Sequence, residues 1–263
     1  MYISNLMSTA ERWQAFARVV GWPGLARTVA KSALRTACFR ASKTLPQQQR
    51  AAFENCRTLE DYFSFADHRF PPNQIKQEIF EFLTFAGGHQ PQNVCEIGTR
   101  DGGTNFLLSQ ALSSVDLMIG VDLYVRNSAQ LRFFSRPSQQ ITFINGSSCA
   151  AATIEKVTET LAGRKLDLLF IDGDHTYEGV KLDFLNFRHL VRENGIVAFH
   201  DIVVDHRTRY GTKSPGWAGD VPRFWSRIKS LYPAHEFVQD PEQDGAGIGA
   251  VLYSAEVPIP EDL

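Results

Sequence analysis

The stretch Asn93-Val94-Cys95-Glu96-Ile97-Gly98-Thr99-Arg100-Asp101-Gly102-Gly103-Thr104 constrains this chain more than any other part of it. A short apolar strand breaks into a glycine-rich turn at Gly98, Gly102 and Gly103, then continues through Thr104 into Asn105-Phe106-Leu107-Leu108. Strand, glycine turn and helix in that order predict the first unit of a doubly wound α/β sheet, whose ligands sit at the carboxyl ends of the strands. The alternation continues, with strand-like runs at 117–121, 141–147, 166–171 and 196–199 and a helical pattern over 151–161. Segments 235–238 and 249–253, split by a Pro/Gly/Asp-rich stretch, read as a terminal antiparallel pair.

The turn discriminates among cofactors. A dinucleotide fingerprint wants glycine at the third position of Gly-x-Gly-x-x-Gly, where this chain has Arg100. Asp101 then places a carboxylate at the helix start, the electropositive end that a pyrophosphate would need. A cofactor without phosphate, carrying a sulfonium, an ammonium and a ribose, suits the turn better, with Glu96 and Asp101 beside its cationic end. Asp122 follows the run 117–121, at the place where an acid holds a ribose hydroxyl pair. The plainer alternative is that the glycines turn a corner and Asp101 caps a helix.

Ionisable groups gather after the fourth and fifth strands. The first group is Asp172-Gly173-Asp174-His175, and the second is His200-Asp201. Adjacent sheet ends would turn all of them toward one cleft. A hydroxyl must lose its proton to attack an electrophilic methyl group, and a positioned base or a metal accomplishes that near neutral pH. Taken singly, Asp172 and Asp174 read as turn formers, Asp201 as a cap and each histidine as a satisfied polar residue. Their convergence on neighbouring strand ends is what favours chemistry.

Glu96, Gly98 and Gly102 stand in the register acid-x-Gly-x-x-x-Gly, which resembles motif I of the class I S-adenosylmethionine-dependent methyltransferases. More narrowly, Leu168 to Val180 together with Gly195 to Asp201 resembles the cephalosporin hydroxylase and macrocin O-methyltransferase-like family. The likeness spans roughly 93–253. It implies a Rossmann-like methyltransferase fold, a doubly wound, mostly parallel seven-stranded sheet, occupying 93–263 behind a helical extension over 1–92. It also implies S-adenosylmethionine as cofactor, held around Glu96, Gly98, Arg100, Gly102, Asp122, Ser147 and Asp172. Carried over by position, Asp172 and Asp201 match metal-binding carboxylates and His175 the general base, while the implied acceptor is a hydroxyl of a sugar or glycosylated natural product.

One position departs from the family. His200 stands where an acid or amide commonly precedes the last ligand. Imidazole suits transition ions better than magnesium, so a ligand set of Asp172, His200 and Asp201 leaves three alternatives: magnesium with His200 turned away, manganese or a similar ion, or no metal. Rival readings are an NAD(P)-dependent oxidoreductase, disfavoured by Arg100 and Asp101, and a non-catalytic docking module.

Composition excludes other classes. The chain has 263 residues, 43% hydrophobic and 21% charged, with a net charge of -2, so nucleic acid is not an expected partner. No apolar run approaches the ~18 residues of a membrane span. Cys38, Cys56, Cys95 and Cys149 form no Cys-x-x-Cys pair, which points to reduced thiols and a cytoplasmic location rather than a disulfide or zinc scaffold. From Met1 to Arg50 eight basic residues face the single acid Glu11, with Trp13, Phe16 and Trp22 interleaved. That end is expected to pack as a helical arm on its own domain or a second subunit, or to touch an anionic membrane surface peripherally. A homo-oligomer is expected, no signal peptide is evident, and the polar stretch 204–220 reads as a lid or a disordered connection.

Overall fold

The computed structural model describes residues 21–41 and 45–263. The basic, aromatic-studded residues 1–20 lie outside the described residues. Four helices precede the sheet among the described residues: α1 (Trp22–Ala41), α2 (Leu45–Glu54), α3 (Leu59–Asp67) and α4 (Lys76–Gly88). Then follow β1 (Asn93–Ile97), α5 (Gly103–Ala111), β2 (Leu117–Asp122), α6 (Ser128–Phe133), β3 (Gln140–Asn145) and α7 (Ala151–Leu161). The last part comprises β4 (Leu166–Ile171), α8 (Tyr177–Phe187), β5 (Val191–His200), α9 (His206–Tyr210), α10 (Val221–Ile228), β6 (Ala234–Phe237) and β7 (Ile248–Leu252).

The seven strands form one sheet in the order β3-β2-β1-β4-β5-β7-β6. Strands β1 to β5 pair in parallel, and β7 runs antiparallel to both β5 and β6. This is the expected doubly wound, mostly parallel seven-stranded architecture. The order reverses between β1 and β4, which opens the crevice where such sheets bind ligands.

Side-chain alternation explains why the central strands are apolar on both faces. In β4, Leu166, Leu169 and Ile171 join the core beneath α7, α8 and α10, while Leu168 and Phe170 join the opposite core under α3, α4 and α5. That second core holds Phe65, Phe70, Ile79, Phe82 and Leu83 from the segment before β1, packed with Phe106 and Phe134. Phe106 stacks on Phe65 at 5.3 Å and meets Phe70 at 5.1 Å. Thr58 starts α3 with a reciprocal capping box to Asp61, which satisfies two otherwise orphaned amides.

Two elements differ from the sequence reading. Strand β5 begins at Val191 rather than near Ile196, because Asn194 at φ +56° makes an irregularity that leaves Leu166 opposite Val191 and Leu168 opposite Ile196. The stretch 204–220 is not a bare connection. Asp205 caps α9 by accepting the Thr208 amide at 2.7 Å and also accepts the Ala218 amide at 2.9 Å. From the far side Asp244 accepts the amides of His206 at 2.7 Å and Gly216 at 2.9 Å. Two carboxylates thus tie the loop down at both ends.

Asp183, on the buried face of α8, carries a stability cost. Burial pushes its carboxyl up to about 7. The folded state therefore binds its proton more tightly than the unfolded chain does, and stability from this group falls as pH rises from about 4 through 7. Replacing Asp183 with Asn removes that titration. Chemical denaturation should find the variant more stable than wild type by about 1–3 kcal/mol at pH 8, with the gain disappearing toward pH 4.

Candidate active site

Parallel pairing assembles the site. The register sets Ile171 of β4 beside Phe199 of β5, so the next residues, Asp172 and His200, leave neighbouring strand ends together. Asp201 follows at φ +62°, a left-handed conformation that aspartate tolerates better than most residues. Its Oδ1 accepts the Ala246 amide at 2.9 Å, and its Oδ2 turns to the histidines.

The four predicted groups come together. His200 Nδ1 lies 3.3 Å from Asp172 Oδ1 and 3.3 Å from Asp201 Oδ2. His175 bridges the same pair, with Nε2 3.5 Å from Asp172 Oδ1 and Nδ1 3.5 Å from Asp201 Oδ2. One ligand atom from each of Asp172, His175 and Asp201 lies within 4.8 Å of the others. His200 is buried and its Nε2 has no hydrogen-bond partner. The carboxylates determine the charge state. Burial opposes ionisation of Asp172, but the charge of His200 and bonds from both histidines overcome it and hold the carboxyl well below its usual range. For His175 burial likewise opposes charge, yet the hydrogen bond and charge of Asp172 raise it to about 9. His200 is raised well above the ordinary imidazole value despite complete burial, chiefly by the charges of Asp172 and Asp201.

His175 is also fixed through its backbone. The Trp217 carbonyl accepts a hydrogen bond from Nδ1 at 2.9 Å, which leaves Nε2 facing Asp172 Oδ1 at 3.5 Å. The Asp220 amide donates to the His175 carbonyl at 2.8 Å. Between these two contacts Gly219 sits at φ +59°, where an added Cβ would lie 2.4 Å from that carbonyl oxygen. Only glycine lets the two segments approach so closely. The Trp217 indole, 66% exposed, stands edge-on to the imidazole at 6.1 Å.

The residues assigned to the cofactor surround the turn after β1. Gly98, at φ +94°, is pressed so closely on β4 that an added Cβ would lie 1.8 Å from the Asp172 carbonyl oxygen. Gly102 begins α5 at φ +90°, and Arg100, at φ +45°, exposes its side chain. Asp122 ends β2 and accepts the Arg100 amide on Oδ2 and the Tyr124 amide on Oδ1, both at 2.8 Å. Ser147 follows β3, its Oγ accepting the Cys149 amide at 3.3 Å. Glu96 shares the parity of Val94 and points under the turn toward α5, where Asn105 Nδ2 donates to it at 3.0 Å. It is buried, and burial pushes its carboxyl up to about 8. Asp101 corrects an expectation. It does not wait beside a cofactor cation, because Arg126 pairs with it at 2.9 Å and Arg100 approaches at 3.7 Å.

Sequence reasoning missed Gln74, which precedes α4 and reaches 98 residues along the chain to donate from Nε2 to Asp172 Oδ2 at 3.2 Å. Its only local signal was a helix start. Glu78, fully buried on α4, was also missed. It accepts the Gly247 amide at 2.9 Å, the Gln239 amide at 3.1 Å and Gln243 Nε2 at 2.7 Å, and so braces the loop that carries Ala246.

Comparison with known proteins agrees with this geometry. Residues 95–202 match the family described as "Methyltransferase domain". An O-methyltransferase from Bacillus cereus, solved in complex with S-adenosylhomocysteine, superposes with a TM-score of 0.55 at 17% identity, over 80% of this chain and 97% of that one. The O-methyltransferase TomG from Streptomyces achromogenes, involved in tomaymycin synthesis and solved with S-adenosylmethionine, gives 0.52 at 15% identity, over 76% and 91%. An uncharacterized protein of Sinorhizobium fredii, y4gI, is 24% identical over 168 residues, 60% of this chain. The chain spans only 17% of that curated relative's length. Residues 95–202, less than half of the chain, therefore resemble a methyltransferase domain, and the sheet shares its fold with these O-methyltransferases. Among the described residues, no helix is long and apolar enough to cross a membrane.

The charge states are directly measurable. In metal-free protein, His175 should titrate near pH 9 by NMR, and Asp172→Asn should bring it down toward its ordinary value of 6.5. Because the folded value is raised, the attendant stability is fully present below pH 6.5 and lost as pH rises through about 9. A wild-type His175 that titrates near 6.5 would contradict the bridging geometry.

Proposed function

We propose that this protein transfers the methyl group of S-adenosylmethionine to a hydroxyl of a sugar-containing small molecule, with His175 as the base. The observation that carries the reading is the pinned imidazole. With Nδ1 committed to the Trp217 carbonyl, Nε2 is the atom that can take a proton, and it lies 3.5 Å from Asp172 Oδ1 at the ligand edge of the sheet.

The residues present fit the cofactor. Each Asp122 oxygen accepts one backbone amide and retains a lone pair for a ribose hydroxyl. S-adenosylmethionine supplies, when bound, a methyl group on a positively charged sulfur. The Bacillus and Streptomyces O-methyltransferases carry S-adenosylhomocysteine and S-adenosylmethionine on the same fold, which supports the reading. His175 Nε2 removes the acceptor's proton as the oxygen attacks, and Asp172 and Asp201 stabilise the resulting imidazolium. The exposed Trp217 indole beside the base offers a flat apolar surface for the face of a sugar ring.

A divalent ion suits the same cluster. Asp172 and Asp201, with His200 or His175, would hold it, and it would lower the pKa of an acceptor hydroxyl placed against it. The mixture of carboxylate oxygen and imidazole nitrogen favours manganese or another transition ion over magnesium. The proposal extends to a homo-oligomer and to a cytoplasmic location, the latter supported by the free thiols at Cys38, Cys56, Cys95 and Cys149. Arg27, Lys31 and Arg35, exposed at four-residue intervals along α1, support peripheral contact with an anionic membrane surface. Flotation with phosphatidylserine vesicles tests that contact; no binding at low salt removes it.

Calorimetry should detect S-adenosylhomocysteine binding and no NAD binding; the reverse pattern would make the protein an oxidoreductase. Asp122→Ala should weaken the S-adenosylhomocysteine complex by about 1.5–3 kcal/mol, the scale of hydrogen bonds to a charged group. Turnover against a panel of glycosides, followed with labelled S-adenosylmethionine, should fall roughly 10²–10⁴-fold in His175→Ala while cofactor affinity holds. Without metal, wild-type activity should rise with pH toward about 9, because the base must first be neutral. A His175→Ala variant with wild-type turnover and pH profile would remove His175 as the base. Exhaustive chelation that leaves full turnover would remove the metal.

A further inference from the structure

His200 and Asp201 depart from strand geometry. Side chains alternate along a strand, so neighbouring residues face opposite sides of the sheet. His200 shares the parity of Ala198, which joins the core under α3, α4 and α5, whereas Asp201 shares the parity of Val197 and Phe199, in the core beneath α8 and α10. Yet Asp201 Oδ2 lies 3.3 Å from His200 Nδ1. The left-handed conformation of Asp201, at φ +62°, brings its carboxylate back to the side of His200. That conformation is unfavourable for a residue with a side chain, so its surroundings must impose it.

The constraint lies across the strand end. The register pairs His200 with Ile248, so the backbone that meets Asp201 is the run just before β7. Gly245, Ala246 and Gly247 are all left-handed, at φ +79°, +60° and +83°. Such a succession aims consecutive amides at anionic groups. The Ala246 amide donates to Asp201 Oδ1 and the Gly247 amide to Glu78 Oε2, both at 2.9 Å. Glu78, fully buried, also secures the start of the loop: its Oε1 accepts the Gln239 amide at 3.1 Å and Gln243 Nε2 at 2.7 Å. The same Gln243 nitrogen donates to the Gly245 carbonyl at 2.8 Å. A second route leaves this loop, because Asp244 accepts the Gly216 amide at 2.9 Å and the next residue, Trp217, offers the carbonyl that takes His175 Nδ1.

We infer that Glu78 is a positioning residue for the base cluster: it holds the left-handed run 245–247 that orients Asp201 and, through Asp244, the carbonyl that orients His175. Glu78 belongs to α4, outside the matched segment 95–202, and acts through the loop. Its part in methyl transfer rests on the reading of His175 proposed above, whereas its hold on Asp201 does not. The contact requires a carboxylate. All three partners are N–H donors, so an amide in its place would turn its own NH2 group toward a donor in either orientation.

The test uses the full chain, metal-free, and reads amide hydrogen exchange and the imidazole proton–nitrogen NMR signals, neither of which needs an acceptor. In Glu78→Gln, exchange at Ala246 should speed up about tenfold or more and the His175 and His200 imidazole signals should shift, while S-adenosylhomocysteine affinity stays within about twofold of wild type. Ala246→Val, which leaves Glu78 intact but makes the left-handed conformation costlier, should shift the same signals. Adding Ala246→Gly to Glu78→Gln should return them part of the way, because glycine adopts that conformation freely. Where a glycoside is turned over, kcat should fall about tenfold or more in Glu78→Gln with KM for S-adenosylmethionine unchanged. A lowered melting temperature with wild-type exchange at Ala246 and wild-type imidazole signals makes Glu78 a purely structural residue and overturns the inference. If Glu78→Gln does not fold, Glu78→Asp, too short to span the same donors, is read in its place by the same criteria. No turnover by wild type removes the methyl-transfer reading, and the hold on Asp201 is then decided by exchange and imidazole signals alone.

Discussion

The site depends on the close contact between the turn after β1 and the end of β4. Parallel pairing runs one step past both strands, with the Asp172 amide donating to the Ile97 carbonyl at 2.8 Å. Gly98 then lies against the Asp172 carbonyl, in a space that no side chain can share. The glycine of the turn after β1 is thus a packing requirement of the acidic residue at the end of β4. A methyl substituent at Gly98 would have to push Asp172 away from both His200 and Gln74. The turn and the base cluster are one mechanical unit, and the β4–β5 register adds His200 and Asp201 to it.

Electrostatics within that unit are balanced and demanding. Two carboxylates and two imidazoles share a small volume, and each histidine is held charged by both acids. A pair of buried acids without the histidines would face like-charge repulsion as well as desolvation. Protons on the histidines satisfy the acids when nothing else does, and a divalent ion would compete for the same oxygens. The cluster is therefore a proton store whose occupancy must change before His175 could serve as the proposed base. The Trp217 carbonyl decides which ring nitrogen is involved, because it commits Nδ1 as a donor.

The sequence made the central sheet legible because apolar runs and glycine turns are local signals. The runs at 117–121 and 166–171 and the helix at 151–161 match β2, β4 and α7 closely. The first half of β5 was hidden, since Arg192, Glu193, Asn194 and Gly195 look like a turn and are in fact an irregularity within a strand. Asp172, His175, His200 and Asp201 could be placed together because they follow adjacent parallel strands, so topology does the work of proximity. Gln74 and Glu78 could not, since nothing local marks a polar residue that finds its partner through tertiary packing. Asp101 misled for a related reason. Its neutralising arginine lies 25 residues away, beyond β2.

The groups missed and the groups found divide by location. The proposed chemistry sits within the segment that matches the methyltransferase domain family, where Asp172, His175, His200 and Asp201 all lie. The groups that orient it come from outside: Gln74 from the helical segment before the sheet, Trp217 and Gly219 from the loop after β5, and Ala246 from the loop before β7. Glu78 and Asp244 brace those loops from a distance in sequence. A parallel sheet fixes its strand ends cheaply through register, so the reacting groups need little beyond the common fold. Orientation of the base and access of the acceptor depend on loops that register does not control. If the proposed function holds, acceptor choice should accordingly depend on the segments before β1 and after β5, while the end of β4 supplies the proposed base.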